Sequence, residues 1–166
     1  MYTHGDRAGF PLLWMHGFMG SGNDWQGFVE SHFSDYFNIL IDLPGHGQSH
    51  LSEKASYTEI LDALVQQLTA QSITKFIPIG YSMGGRIAFH LQQRYPESIP
   101  ALVGLSTAPG LKTKIERSNR QSADHRLMEK LSRVGFSRFL QEWYELPLFS
   151  SINTNAELMK ELKSVR

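Results

Sequence analysis

The chain has no cysteine in its 166 residues. That excludes disulfides, thiol nucleophiles and zinc–thiolate sites, and it fits a cytosolic protein. Long apolar runs are also missing. Nothing approaches the roughly 18 residues of a membrane-crossing helix. The N-terminus lacks a basic region leading into an apolar stretch, so no signal peptide is evident. Charge of one sign is not in surplus: 16 Lys and Arg balance 16 Asp and Glu. Composition therefore gives no pull toward nucleic acid or a membrane surface. Internal repeats and low-complexity tracts are absent. No metal site and no cofactor are expected. What remains is ordinary for a globular chain, with 41% hydrophobic residues, enough for a real core.

The most informative positive feature is Gly80-Tyr81-Ser82-Met83-Gly84, a G-x-S-x-G. It follows a short apolar run, Lys75–Ile79, that reads as a buried strand. It precedes Gly85-Arg86-Ile87-Ala88-Phe89-His90-Leu91, which reads as a helix. A strand turning sharply into a helix at a serine presents the hydroxyl above the sheet, at a helix N-terminus that favours developing negative charge. The flanking glycines remove Cβ atoms that would clash in the turn.

Other strands are expected at Pro11–Met15, Phe37–Leu43 and Ile99–Leu105. Helices are expected at Asp24–Phe33, from the capping box Ser56-x-x-Glu59 onward, over 115–145 with Leu127, Leu131, Val134, Leu140 and Trp143 as apolar positions, and over 154–164. Apolar strands alternating with amphipathic helices predict a mostly parallel sheet covered on both faces. The pattern changes after Gly110, so residues 1–110 are expected to form an α/β core and 111–166 a helical segment. No strand pattern follows 99–105, which leaves that strand as an expected open edge and a place for self-association.

Charge is uneven along the chain. Between Lys112 and Arg138 there are eight basic and three acidic residues. A local basic excess suits an anionic substrate; a solvated helix face is the alternative for any one of these residues.

Several segments together resemble one family. His16-Gly17-Phe18, Asp42-Leu43-Pro44-Gly45-His46-Gly47 and the Ser82 motif are general to α/β-hydrolases. Pro109-Gly110-Leu111, Glu116-Arg117-x-x-Arg120-x-x-x-Asp124 and Phe139-Leu140-x-x-Trp143-Tyr144-x-x-Pro147-Leu148-Phe149 are more specific. Together they are similar to 2-succinyl-6-hydroxy-2,4-cyclohexadiene-1-carboxylate synthases of menaquinone and phylloquinone biosynthesis, over roughly the first two-thirds of a family member. The resemblance implies an α/β-hydrolase fold with a helical cap, no cofactor, and a lyase that eliminates pyruvate from a polycarboxylate. It implies Ser82 as the catalytic serine, acting as a base. It implies the backbone N–H groups of Phe18 and Met83 as oxyanion donors, and Tyr81, Arg86, Arg120, Trp143 and Tyr144 as substrate contacts. For Arg86 a helix-surface ion pair is the alternative, and for Trp143 core packing. Arg117 is open to a structural role. His16, Asp42 and His46 are read as structural.

The family's acid and histidine have no counterpart here. After Ser82 only His90 and His125 remain, and neither is placed as a base. Three readings stay open: part of a longer synthase, a non-catalytic relative that binds carboxylates or a partner, and a chain completed by a second polypeptide. A serine esterase or C–C hydrolase would share the same elbow.

Overall fold

The computed structural model describes residues 1–50 and 55–164. The chain divides into two compact units, Met1–Gly110 and Leu111–Arg166.

The first unit is built on five strands: β1 (Tyr2–His4), β2 (Pro11–Met15), β3 (Phe37–Ile41), β4 (Ile77–Tyr81) and β5 (Val103–Leu105). Their order in the sheet is β1-β3-β2-β4-β5. Only β1 runs antiparallel, against β3; the other pairings are parallel. Successive side chains of a strand point to opposite faces, and β2 shows the result. Leu13 and Met15 pack with Ile39, Ile41, Leu61, Leu68, Ile87 and Leu91 on one face. Leu12 and Trp14 pack with Leu40, Ile79 and Val29 on the other. Two helices, α2 (Tyr57–Ala70) and α3 (Met83–Arg94), cover the first face, and α1 (Gln26–His32) covers the second. Each fully buried side chain of this size stabilises the fold by about 1.5–3 kcal/mol. The polar Asn38 inside β3 is accommodated by hydrogen bonds: its Oδ1 accepts from Trp14 Nε1 at 2.8 Å and its Nδ2 donates to the Phe33 carbonyl at 2.6 Å.

The capping box at α2 is present: Ser56 Oγ accepts from the Glu59 N–H and Glu59 Oε2 accepts from the Ser56 N–H. The segment expected as one helix from Asp24 is a 3-10 turn, Gly22–Trp25, followed by α1. The strand expected over Ile99–Leu105 is shorter. The N–H groups of Ser98 and Ile99 turn back to the Tyr95 carbonyl, and Pro100 has no N–H for a ladder. The strands expected at 75–79 and 37–43 occupy Ile77–Tyr81 and Phe37–Ile41.

The second unit is helical: α4 (Lys114–Val134), α5 (Phe136–Tyr144), a 3-10 turn at Pro147–Phe149, α6 (Ser150–Asn153) and α7 (Ala156–Ser164). The single helix expected over 115–145 is broken at Gly135, whose φ of 78° suits glycine and ends the α4 ladder. No residue of α4 is fully buried, whereas α5 buries Phe139, Leu140 and Tyr144. Lys130 Nζ reaches Glu142 at 2.7 Å and ties α4 to α5. No helix among the described residues is long and apolar enough to cross a membrane.

Candidate active site

The turn at Ser82 is set by a lack of room. A Cβ on Gly80 would sit 2.3 Å from the Gly84 carbonyl carbon, and one on Gly84 would sit 2.4 Å from the Met15 carbonyl oxygen. Only glycines let β4, α3 and the end of β2 converge this closely. Ser82 lies between them at φ 50° and ψ −105°, as the N-cap of α3. A non-glycine residue at positive φ carries strain of about 1–3 kcal/mol and persists where its surroundings hold it. The Ser82 N–H donates to the Leu105 carbonyl at 2.9 Å, and the Gly84 N–H to the His16 carbonyl at 3.2 Å. The Ser82 side chain is half-buried rather than sealed in the core.

The loop after β2 meets this turn. A Cβ on Gly17 would lie 3.5 Å from Ser82 Cβ and 2.9 Å from the Tyr81 ring. Phe18 follows on that loop, and Met19 takes φ 62°. The chain at Gly17 therefore lies against the serine, with Phe18 next along the loop. Met83 opens α3, so its N–H is one of the first-turn donors without a carbonyl partner inside the helix. These are the two places where oxyanion donors were expected.

His16 sets the loop's shape. The ring is 1% exposed. Its Nε2 accepts from the Leu43 N–H at 2.9 Å, so Nδ1 carries the proton and donates to the Gly17 carbonyl at 2.7 Å. Burial pushes the imidazole below its ordinary value, and the neighbouring His46 adds to that. A neutral ring using both nitrogens internally serves as a brace. His46 packs beside it, with ring centres 5.1 Å apart, and Phe18 stands edge-on to His46 at 5.9 Å. Asp42 accepts from the Gly22 N–H at 2.8 Å and the Gln48 N–H at 2.9 Å, which closes the loop after β3. The bonds of His16 and Asp42 and the ring packing of His46 agree with their structural readings.

Tyr81, at the end of β4, is 42% exposed. Arg86 is exposed one turn beyond Ser82 on α3. Tyr57 at the start of α2 senses it: burial pushes the Tyr57 phenol up and the Arg86 guanidinium pulls it back. Sequence reasoning missed Tyr57, and no motif marks it. His90, a further turn along α3, stands edge-on to Tyr57 with ring centres 5.3 Å apart. His125 lies on α4, 3.4 Å from Glu129. No histidine bonds the Ser82 hydroxyl among the described residues.

The remaining expected contacts lie in the helical unit. Arg120 Nε bonds Asp124 at 2.8 Å along the exposed surface of α4. Arg117 Nη1 donates to the Leu111 carbonyl at 2.7 Å, a structural use of its charge. Trp143 stacks on Phe139 at 6.1 Å, and Tyr144 stands edge-on to Phe149 at 5.2 Å, so both aromatics belong to one cluster within that unit.

A cavity of about 660 Å³ opens between α2 and the end of β3, walled by Leu43, Ile60, Leu64 and Ile87 among others, and Ser82 is not part of its wall. No group of three or more His, Cys, Asp or Glu among the described residues is placed to hold a metal ion.

This elbow, its strained serine and the adjoining backbone loop accord with a match of residues 11–162 to the alpha/beta hydrolase fold family. The chain belongs to that family. Within the alpha/beta hydrolases it is 32% identical to a 2-succinyl-6-hydroxy-2,4-cyclohexadiene-1-carboxylate synthase of Enterobacter sp. (strain 638), over 98% of this chain and 63% of the relative. The synthase of Escherichia coli O1:K1 / APEC is 31% identical over 98% of this chain and 64% of its own. Among solved structures, MenH from S. aureus superposes with a TM-score of 0.89 at 27% identity, covering 99% of this chain and 64% of that one. The chain thus spans less than two-thirds of the length of these alpha/beta-hydrolase relatives.

Proposed function

We propose that this chain contributes Ser82 and its oxyanion donors to a lyase that eliminates pyruvate from 2-succinyl-5-enolpyruvyl-6-hydroxy-3-cyclohexene-1-carboxylate. The observation that carries the reading is the strained Ser82 elbow with the Gly17–Phe18 loop against it, in a chain 32% identical to such a synthase over 98% of its residues. In this reading the Ser82 oxygen removes a ring proton. The electrons form a new ring double bond, the existing double bond shifts one position along the ring, and the ring C–O bond to the enolpyruvyl group breaks; the group leaves as pyruvate enolate and takes up one proton to become pyruvate. The Phe18 and Met83 N–H groups stabilise the oxygen on which negative charge builds. Tyr81, Arg86, Arg120, Trp143 and Tyr144 contact the substrate, the arginines as fork-shaped donors to its carboxylates.

A serine hydroxyl is a weak base, so turnover needs an imidazole at Ser82. His16 is braced by two internal bonds, His90 sits against Tyr57, and His125 pairs with Glu129. These positions support a second reading, that the chain alone binds carboxylates without turning them over.

Pyruvate release, followed by a lactate-dehydrogenase-coupled assay, separates the readings. With an imidazole supplied at Ser82, the lyase predicts release that falls at least about a hundredfold in Ser82→Ala. It predicts that Arg86→Ala weakens substrate binding roughly ten- to a hundredfold, the worth of a charged hydrogen bond. Hydrolysis of a neutral ester without pyruvate release would make the chain an esterase. Retained substrate affinity with no release would assign it a binding role.

A further inference from the structure

We infer that Thr107 is a positioning residue for Ser82, fixing the elbow's backbone through its hydroxyl. The inference rests on the reading of Ser82 as the reactive serine.

Ser82 holds a conformation that L-residues rarely adopt, so its surroundings must over-determine it. Its N–H is held by the Leu105 carbonyl at 2.9 Å. Its own carbonyl accepts from the Arg86 N–H at 3.3 Å, a long bond, and from Thr107 Oγ1 at 2.8 Å. Thr107 supplies the shorter of the two restraints. The hydroxyl is aimed by the methyl on the same carbon. Thr107 Cγ2 fills a slot floored by two glycines: a Cβ on Gly85 would lie 2.4 Å from it, and one on Gly104 2.7 Å. A β-branched side chain seated this way has one usable χ1, so the donor points one way. Ser106, at φ 48°, turns the chain after β5 back toward the elbow and delivers Thr107 to it. Leu105 and Thr107 thus grip both polar groups of the Ser82 main chain from the β5 side. No sequence motif includes Thr107, because Ser106-Thr107-Ala108-Pro109-Gly110 reads as loop chemistry.

Amide hydrogen exchange on the full chain tests this. Thr107→Val keeps the shape and removes the donor; Thr107→Ser keeps the donor and removes the methyl. Thr107→Val is expected to speed exchange at the Ser82 and Arg86 amides roughly three- to tenfold, leaving Leu13 and Ile39 unchanged. Thr107→Ser is expected to restore protection at Ser82. Unchanged exchange in Thr107→Val, a uniform rise across the sheet, or no rescue by serine overturns the inference. Thermal midpoints give a second route. Glycine accepts φ 50°, so Thr107→Val should lower the midpoint less in a Ser82→Gly background than in the wild type; an equal shift in both overturns the inference. The pyruvate assay stands apart from these readouts. Unchanged turnover in Ser82→Ala sinks the lyase reading without touching the Thr107 bond, and a failed exchange test sinks Thr107 alone.

Discussion

Burial keeps the His16 imidazole neutral, and both of its nitrogens are spent on the backbone of two loops. The sign of its pH effect follows. In the unfolded chain the ring titrates near about 6.5, and in the folded chain lower. The unfolded state therefore takes the proton more readily. The stabilisation is complete above about pH 6.5 and is lost as pH falls toward the folded value. Thermal melts between about pH 7.5 and 5.5 should show a falling midpoint. His16→Gln should cost about 1–3 kcal/mol at neutral pH by orphaning a buried partner, and its melts should depend less on pH over that window. A flat wild-type profile would contradict the brace. The identity of this residue was legible in His16-Gly17-Phe18, but its tautomer was not. That depends on the Leu43 N–H, 27 residues away in the chain, which no local pattern reveals.

The junction of β4 and α3 shows why some elements could be read from sequence and others not. The elbow was legible because its constraint is local: glycines two residues either side of a serine serve one turn. Gly80→Ala should be severe, since its Cβ would meet main-chain atoms at 2.3–2.4 Å that cannot move aside. A loss of about 3 kcal/mol or more is expected by chemical denaturation, at the upper end of overpacking costs. Near-wild-type stability would show that the turn can relax. The capping boxes at Ser56 and Thr113 are equally local, each spanning the first turn of its helix; the first was read from the sequence and the second is seen in the structure. The break at Gly135 was harder to see. A lone glycine in a helical pattern is ambiguous until its φ is known, and here the apolar spacing continues past it into Leu140 and Trp143. The shortened β5 reflects a contest within the chain: the Tyr95 carbonyl captures the Ser98 and Ile99 N–H groups before a ladder can use them. The helical unit was legible as helical, and of its expected apolar positions Leu140 is buried and Trp143 partly covered. Phe139 and Tyr144 are buried, whereas Leu127, Leu131 and Val134 are only partly covered.

At the scale of the whole molecule, β5 is paired on one side among the described residues, with Val103 41% and Leu105 40% exposed. Open ladder groups flanked by apolar side chains invite another strand. Sedimentation velocity across a concentration series should show association, and Val103→Lys should shift the chain toward monomer. A monomer at every concentration would remove the edge as an adhesive surface. The tryptophans offer a way to watch each half of the chain. Trp14, 1% exposed, touches Trp25 with ring centres 5.1 Å apart, and both belong to the sheet unit; Trp143 sits among the aromatics of the helical unit. Fluorescence of a Trp143→Phe chain would therefore report on the sheet alone. Its difference from the parent would report on the helices. One unlabelled chain thus carries two optical thermometers, and whether they read the same melting temperature says whether the two units fold as partners or as neighbours.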